Sequence, residues 1–144
     1  MSTVKKSGNG GFHTASALDY LPLGPLRQLQ LTRLQTIVKR AYENVKLFRS
    51  RMEERRLKPE SLTSLVAIRE LPFTVKTDLR DTYPFGLFAS PMQDIVRLHA
   101  SSGTTGKPIV VAYTQEDINV WSSTMLRTFA ACGLHKGDII QNSY

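Results

Sequence analysis

The stretch Ser101-Ser102-Gly103-Thr104-Thr105-Gly106-Lys107-Pro108 decides the reading of this chain. Eight small, hydroxylic or cationic residues stand between two apolar, β-prone segments. Two glycines let the backbone turn sharply and bring its N–H groups close to an anion, and the hydroxyls and one ammonium add further donors at short range. That composition points to a polyphosphate cradle. It is not a Walker A loop, which needs four residues between its glycines and a Ser or Thr after the lysine to reach Mg²⁺. Here two residues separate Gly103 from Gly106, and Pro108 follows Lys107. The next residues, Ile109-Val110-Val111-Ala112-Tyr113, are β-branched and aromatic, so the loop is expected to join strand to strand.

Working outward, the string Asp94-Ile95-Val96-Arg97-Leu98-His99-Ala100 reads as the preceding strand, with Ile95, Arg97 and His99 on one face and Val96 and Leu98 on the other. Arg97 and His99 either brace the loop from beneath or are simply a solvated arginine and a half-buried histidine. Downstream, Thr114 with Asp117 three residues on forms a capping box that starts a helix, and Gly133 ends it. Its inner stripe takes Ile118, Trp121, Met125, Phe129 and Cys132. Trp121 reads as core rather than ligand platform, and Cys132 as a small buried apolar group rather than a nucleophile.

Upstream, apolar residues recur at three- and four-residue spacing from Leu26 through Leu34, Val38 and Val45 to Met52, the pattern of an amphipathic helix. Lys58-Pro59 breaks it. Ser61 is the expected cap of a short apolar segment over residues 62–68, and Thr77 that of a short helix ending before the Tyr83-Pro84-Phe85-Gly86 turn. The net charge of +7 is local: residues 1–58 hold twelve Lys or Arg against four acids, and residues 59–144 seven against eight. Such a basic helix suits either a phosphate polymer or anionic membrane, or a solvated face. The absence of a nucleic-acid motif and of aromatics between the charges favours the solvated face, and neither nucleic acid nor membrane is expected as a partner.

The string HASSGTTGKP over residues 99–108 closely resembles the phosphate-binding motif of the adenylate-forming enzymes. The flanking residues Leu71-Pro72-Phe73-Thr74, Lys76, Asp78-Leu79-Arg80, Arg97-Leu98 and Tyr113-Thr114 are similar to those of phenylacetate-coenzyme A ligases. The likeness covers residues 20–144. It implies an α/β fold: part of an N-terminal adenylation domain in which amphipathic helices precede a β-hairpin carrying the phosphate loop and a further helix. It also implies that Ser101, Ser102, Gly103, Thr104, Thr105, Gly106 and Lys107 contact the β- and γ-phosphates of ATP, and that Tyr144 begins an aryl-pocket stretch. Mg²⁺ and coenzyme A are implied for the intact enzyme, with phenylacetate or a related aryl acid as substrate. No catalytic residue and no protein metal ligand is assigned within this chain.

Length and composition set limits. At 144 residues and 41% hydrophobic content the chain suits one modest domain. Residues 1–19, rich in Gly, Ser and Thr, read as a flexible tail without the apolar core of a secretory signal, and residues 20–144 as the truncated adenylation domain. One cysteine excludes an internal disulfide and no apolar run reaches bilayer length, so a cytoplasmic protein is expected. The expected object is a fragment, a truncated reading frame or one piece of a split protein, inactive alone. The alternative function is a non-catalytic remnant acting by binding, or by self-association through exposed strand edges into a homo-oligomer.

Overall fold

The computed structural model describes residues 14–101 and 108–143. The amphipathic pattern of the first half forms two helices, α1 (Leu23–Asn44) and α2 (Lys46–Glu54), in place of the single run expected over residues 26–52. Val45 breaks the run with extended backbone (φ −110°, ψ 103°). The break frees carbonyls at the end of α1, and Arg49 satisfies two of them: its Nε donates to the Tyr42 carbonyl at 2.8 Å and its Nη2 to that of Glu43. Past α2 the chain turns through Arg56 at φ 58°, with the Leu57 N–H donating to the Met52 carbonyl and the Arg56 N–H to that of Glu53. This is a Schellman stop carried by arginine where glycine is usual.

The core lies where α1 and α2 meet the segment after them. Met52 is fully buried and packs with Val38 and Leu62, flanked by Leu34, Tyr42, Phe48, Leu57, Ala67 and Leu71. Gln35 Nε2 donates to the Leu62 carbonyl at 2.7 Å and holds that segment in place. The segment is built of 3₁₀ turns over Pro59–Ser61 and Leu65–Glu70. Ser61 does not cap the second of these turns. Its hydroxyl reaches back to accept the Lys58 N–H at 3.1 Å, and Ser64 is the residue that precedes the turn at Leu65.

Helix α3 (Lys76–Asp81) starts one residue before Thr77, so Thr77 lies inside it and the cap falls to Asp78. The Asp78 carboxylate accepts the Val75 N–H at 2.7 Å and both guanidinium Nη groups of Arg51 at 2.6 and 2.7 Å. Arg51 also donates to the Phe73 carbonyl, so one ion pair ties α2 to the entry of α3. Donation from Arg51, and then from the Val75 N–H, holds the Asp78 carboxyl below its ordinary value of 3.8. A carboxyl whose folded pKa is depressed contributes stability above its unfolded value and loses it as pH falls through the folded one. We expect thermal stability, followed by circular dichroism, to fall as pH drops below about 4, with a shallower fall in Asp78→Asn than in the parent; equal slopes would refute the assignment.

The second half is a hairpin and a helix. Strands β1 (Ile95–Ala100) and β2 (Val110–Thr114) pair antiparallel, with Arg97 opposite Tyr113, Leu98 opposite Ala112 and His99 opposite Val111. A bulge at Val96 shifts the register, so that Ile95 faces Thr114. Ile95 therefore shares the Leu98–Ala112 face, not that of Arg97 and His99, because one extra residue reverses the alternation. Helix α4 (Gln115–Ala131) starts at the expected box: the Asp117 N–H donates to Thr114 Oγ1, and the Thr114 N–H and hydroxyl both donate to Asp117 Oδ2. It ends at Gly133 (φ 77°), with the Leu134 N–H on the Phe129 carbonyl. Cys132 is exposed rather than buried, since α4 packs on β2 and on the 3₁₀ turn Thr14–Tyr20 and leaves the side bearing Cys132 open. That turn falls within the stretch read as a tail. Asp19 pairs there with Arg127 of α4.

Candidate functional site

Alternation brings β1 to its end at Ala100, and the chain closes across the following loop. The Ser101 N–H donates to the Ile109 carbonyl at 3.0 Å, and the Ile109 N–H donates to Ser101 Oγ at 3.0 Å. This two-way clasp brings together the two ends of the Gly-, Ser- and Thr-rich stretch. Of the candidate phosphate-binding residues, Ser101 is described; Ser102, Gly103, Thr104, Thr105, Gly106 and Lys107 lie outside the described residues, as does Tyr144. Ser101 uses an oxygen lone pair on the Ile109 N–H, which leaves its own O–H hydrogen available to an anion.

Beneath the clasp, His99 meets Tyr113 at 5.1 Å between ring centroids and Trp121 at 6.0 Å, while Tyr113 and Trp121 lie 5.5 Å apart. His99 thus belongs to an aromatic triad that pins the hairpin to α4, and Trp121 serves as the helix's contribution to it. Aromatic contacts of this kind add about 0.5–1.5 kcal/mol each beyond area burial. The sequence reading paired His99 with Arg97 and missed Tyr113, although the i, j±2 diagonal across a hairpin would have found it once the register was known. Trp121 is still 42% exposed, so it is not the buried core residue expected from its stripe.

Two concavities flank the hairpin. The first, about 280 Å³, lies between α1 and the sheet face bearing Ile95 and Ala112, and is lined by Ile37, Ala41, Leu79 and Phe88 with Arg40 and Asp117 as its charged groups. The Thr114 N–H, and more weakly the Thr114 hydroxyl and the Arg40 charge, hold the Asp117 carboxyl below its ordinary value against the opposing effect of burial. The second, about 470 Å³, runs along α4 beside Arg97. Among the described residues no cluster of three or more His, Cys, Asp or Glu could hold a metal ion. Nor is any described helix long and apolar enough to cross a membrane.

Ser101→Ala removes half of the clasp while leaving the backbone bond in place. Losing one such hydrogen bond costs about 0.5–1.5 kcal/mol, and we expect faster hydrogen exchange at the Ile109 amide with the α4 amides unchanged. Unaltered exchange at Ile109 would show that the side chain does not hold the loop ends.

Comparison with known proteins agrees with the geometry. No family model matches the chain. It is 54% identical over 119 residues to a phenylacetate-coenzyme A ligase of Pseudomonas putida, covering 83% of this chain and 27% of that protein. A phenylacetate-coenzyme A ligase of Thermus thermophilus is 46% identical over 127 residues, 88% of this chain and 28% of that one. The structure superposes on that of 2-hydroxyisobutyryl-CoA ligase with 2-HIB-AMP and CoA in the thioesterification state, with TM-score 0.74 and 29% identity over 82% of this chain and 26% of that one. The same ligase in its postadenylation state with 2-HIB-AMP gives TM-score 0.71 at 27% identity. The chain spans about a quarter of the length of the curated relatives it matches. The likeness to phenylacetate-coenzyme A ligases and the partial adenylation-domain fold are both borne out.

Proposed function

We propose that this chain is the N-terminal part of the adenylation domain of a cytoplasmic, AMP-forming ligase, to which it contributes the loop that holds the β- and γ-phosphates of ATP. The whole enzyme activates phenylacetate or a related aryl acid and passes it to coenzyme A. The observation that carries this is the two-way clasp between Ser101 and Ile109 at the ends of a Gly-, Ser- and Thr-rich stretch ending in Lys107.

The chemistry explains the need for the loop. A carboxylate is a poor electrophile. Its oxygen forms a bond to the α-phosphorus of ATP while the bond from that phosphorus to the β-phosphate bridging oxygen breaks, and pyrophosphate leaves with the electron pair. The thiol sulfur of coenzyme A then bonds to the acyl carbon, its proton is lost, and AMP departs. Charge accumulates on the leaving pyrophosphate in the first step only. The Lys107 ammonium, the loop N–H groups and the free O–H of Ser101 offset that charge and lower the barrier. Mg²⁺ bound with the nucleotide would neutralise phosphate charge there. Tyr144 begins the aryl-acid pocket.

A chimera tests this directly. Replacing the matching segment of the P. putida ligase by this chain should give an enzyme that exchanges labelled pyrophosphate into ATP only when phenylacetate is present, whereas the 144-residue chain alone should not. A folded chimera that fails to exchange with any aryl acid would refute the reading.

A further inference from the structure

The second concavity is lined by Arg97 of β1 and by Ile118, Trp121, Met125, Leu126 and Phe129 of α4, with no residue of β2. It therefore lies beyond the outer edge of β1, where the sheet stops and the helix beneath continues. Trp121, Met125 and Leu126 along it are each 40–48% exposed. Among the described residues the sheet has two strands, so the outer edge of β1 carries N–H and C=O groups that no described strand pairs. The Arg97 guanidinium has no hydrogen bond or ion pair to any other described residue. A hairpin of two strands is marginal in water, and an apolar helix stripe beside a free edge marks where another strand belongs.

We propose that the outer edge of β1 and the open stripe of α4 form a docking site for a strand from the remaining three-quarters of an adenylate-forming ligase, and that this strand can be supplied on a separate polypeptide. The incoming strand pairs with β1 and lays its alternate apolar side chains over Trp121, Met125, Leu126 and Phe129. It sets a carboxylate against Arg97. Three observations favour this occupant over a second copy of the chain. The relatives are nearly four times as long as the matched segment, so the covering mass exists in them. The site needs an apolar strand bearing an acid, whereas the edge residues this chain would offer in a symmetric pairing, Val96 to Ala100, bring a second Arg97 and no carboxylate. Like charges at such a seam oppose self-pairing. The inference rests on the ligase reading above.

The test is to co-express the full 144-residue chain with the P. putida ligase lacking its matching segment, and to measure association by sedimentation and hydrogen exchange without nucleotide. The expected result is a one-to-one complex in which the amides of residues 97–100 gain protection of about tenfold or more. Leu126→Asp and, independently, Arg97→Glu should each weaken it by about tenfold or more, while Val66→Asp, on an exposed 3₁₀ turn, should not. Failure to associate would overturn the proposal. So would a homodimer that protects the same amides, or a complex whose protection maps elsewhere. Because association is read without turnover, an inactive complex with the expected protection would sustain the docking site and refute the ligase reading. An active fused chimera with no association in trans would do the reverse.

Discussion

Replacing Lys107 by alanine in the chimeric ligase slows phenylacetate-dependent pyrophosphate exchange by about 10²-fold or more, the usual cost of removing a donor aimed at developing charge. Thioester formation from supplied phenylacetyl-adenylate and coenzyme A stays near the parent rate, because no pyrophosphate is present in that half-reaction. The split between the two half-reactions is the informative quantity. Loss of both in equal measure would mean that Lys107 supports the domain rather than the phosphates. Lys107→Arg, which keeps the charge but changes its reach, should fall between parent and alanine in exchange alone.

Met52→Ala is the substitution with the largest expected effect on stability. Met52 is fully buried at the junction of α1, α2 and the 3₁₀ segment, and the core it occupies otherwise counts only Val38, Val45 and Leu62 as buried apolar side chains among the described residues. Truncating a buried Met costs about 2–5 kcal/mol in transfer and cavity terms. That is a large share of the stability of a domain this size. Urea unfolding of the 144-residue chain, followed by far-ultraviolet circular dichroism, should show a midpoint well below that of the parent. Val66→Ala, at an exposed position on the second 3₁₀ turn, should stay within about 0.5 kcal/mol of the parent. Similar shifts in both variants would show that the stability of this chain does not reside in that core.

Where the sequence could be read, the chemistry was local. Thr114 and Asp117 announce the start of α4 through hydrogen bonds spanning three residues, and Gly133 announces its end through a backbone angle that glycine alone adopts freely. The hairpin followed from β-branched residues on both sides of a turn-rich stretch. The break at Val45 has no such marker. It carries neither Pro nor Gly and depends on Arg49 reaching back to two carbonyls, which spacing cannot reveal. The stop after α2 was hidden for a related reason, since Arg56 takes the left-handed angle usually signalled by glycine. Ser61 and Thr77 were misplaced as caps because hydroxyls also close turns and sit in first helical turns. At the site, the loop composition was legible in one dimension, while the triad of His99, Tyr113 and Trp121 exists only once the hairpin has paired His99 with Val111 and α4 has packed against it.

Trp121 is the sole tryptophan of the chain, and it touches both the strand leading into the loop and the strand leading out. The molecule therefore carries a built-in optical gauge. Light emitted by that indole responds to its immediate surroundings, so drying the groove over α4 should move the emission to shorter wavelength without any added dye. A shift of the hairpin against the helix should change its intensity through the neighbouring rings. One cuvette could then follow assembly and strand movement as separate signals.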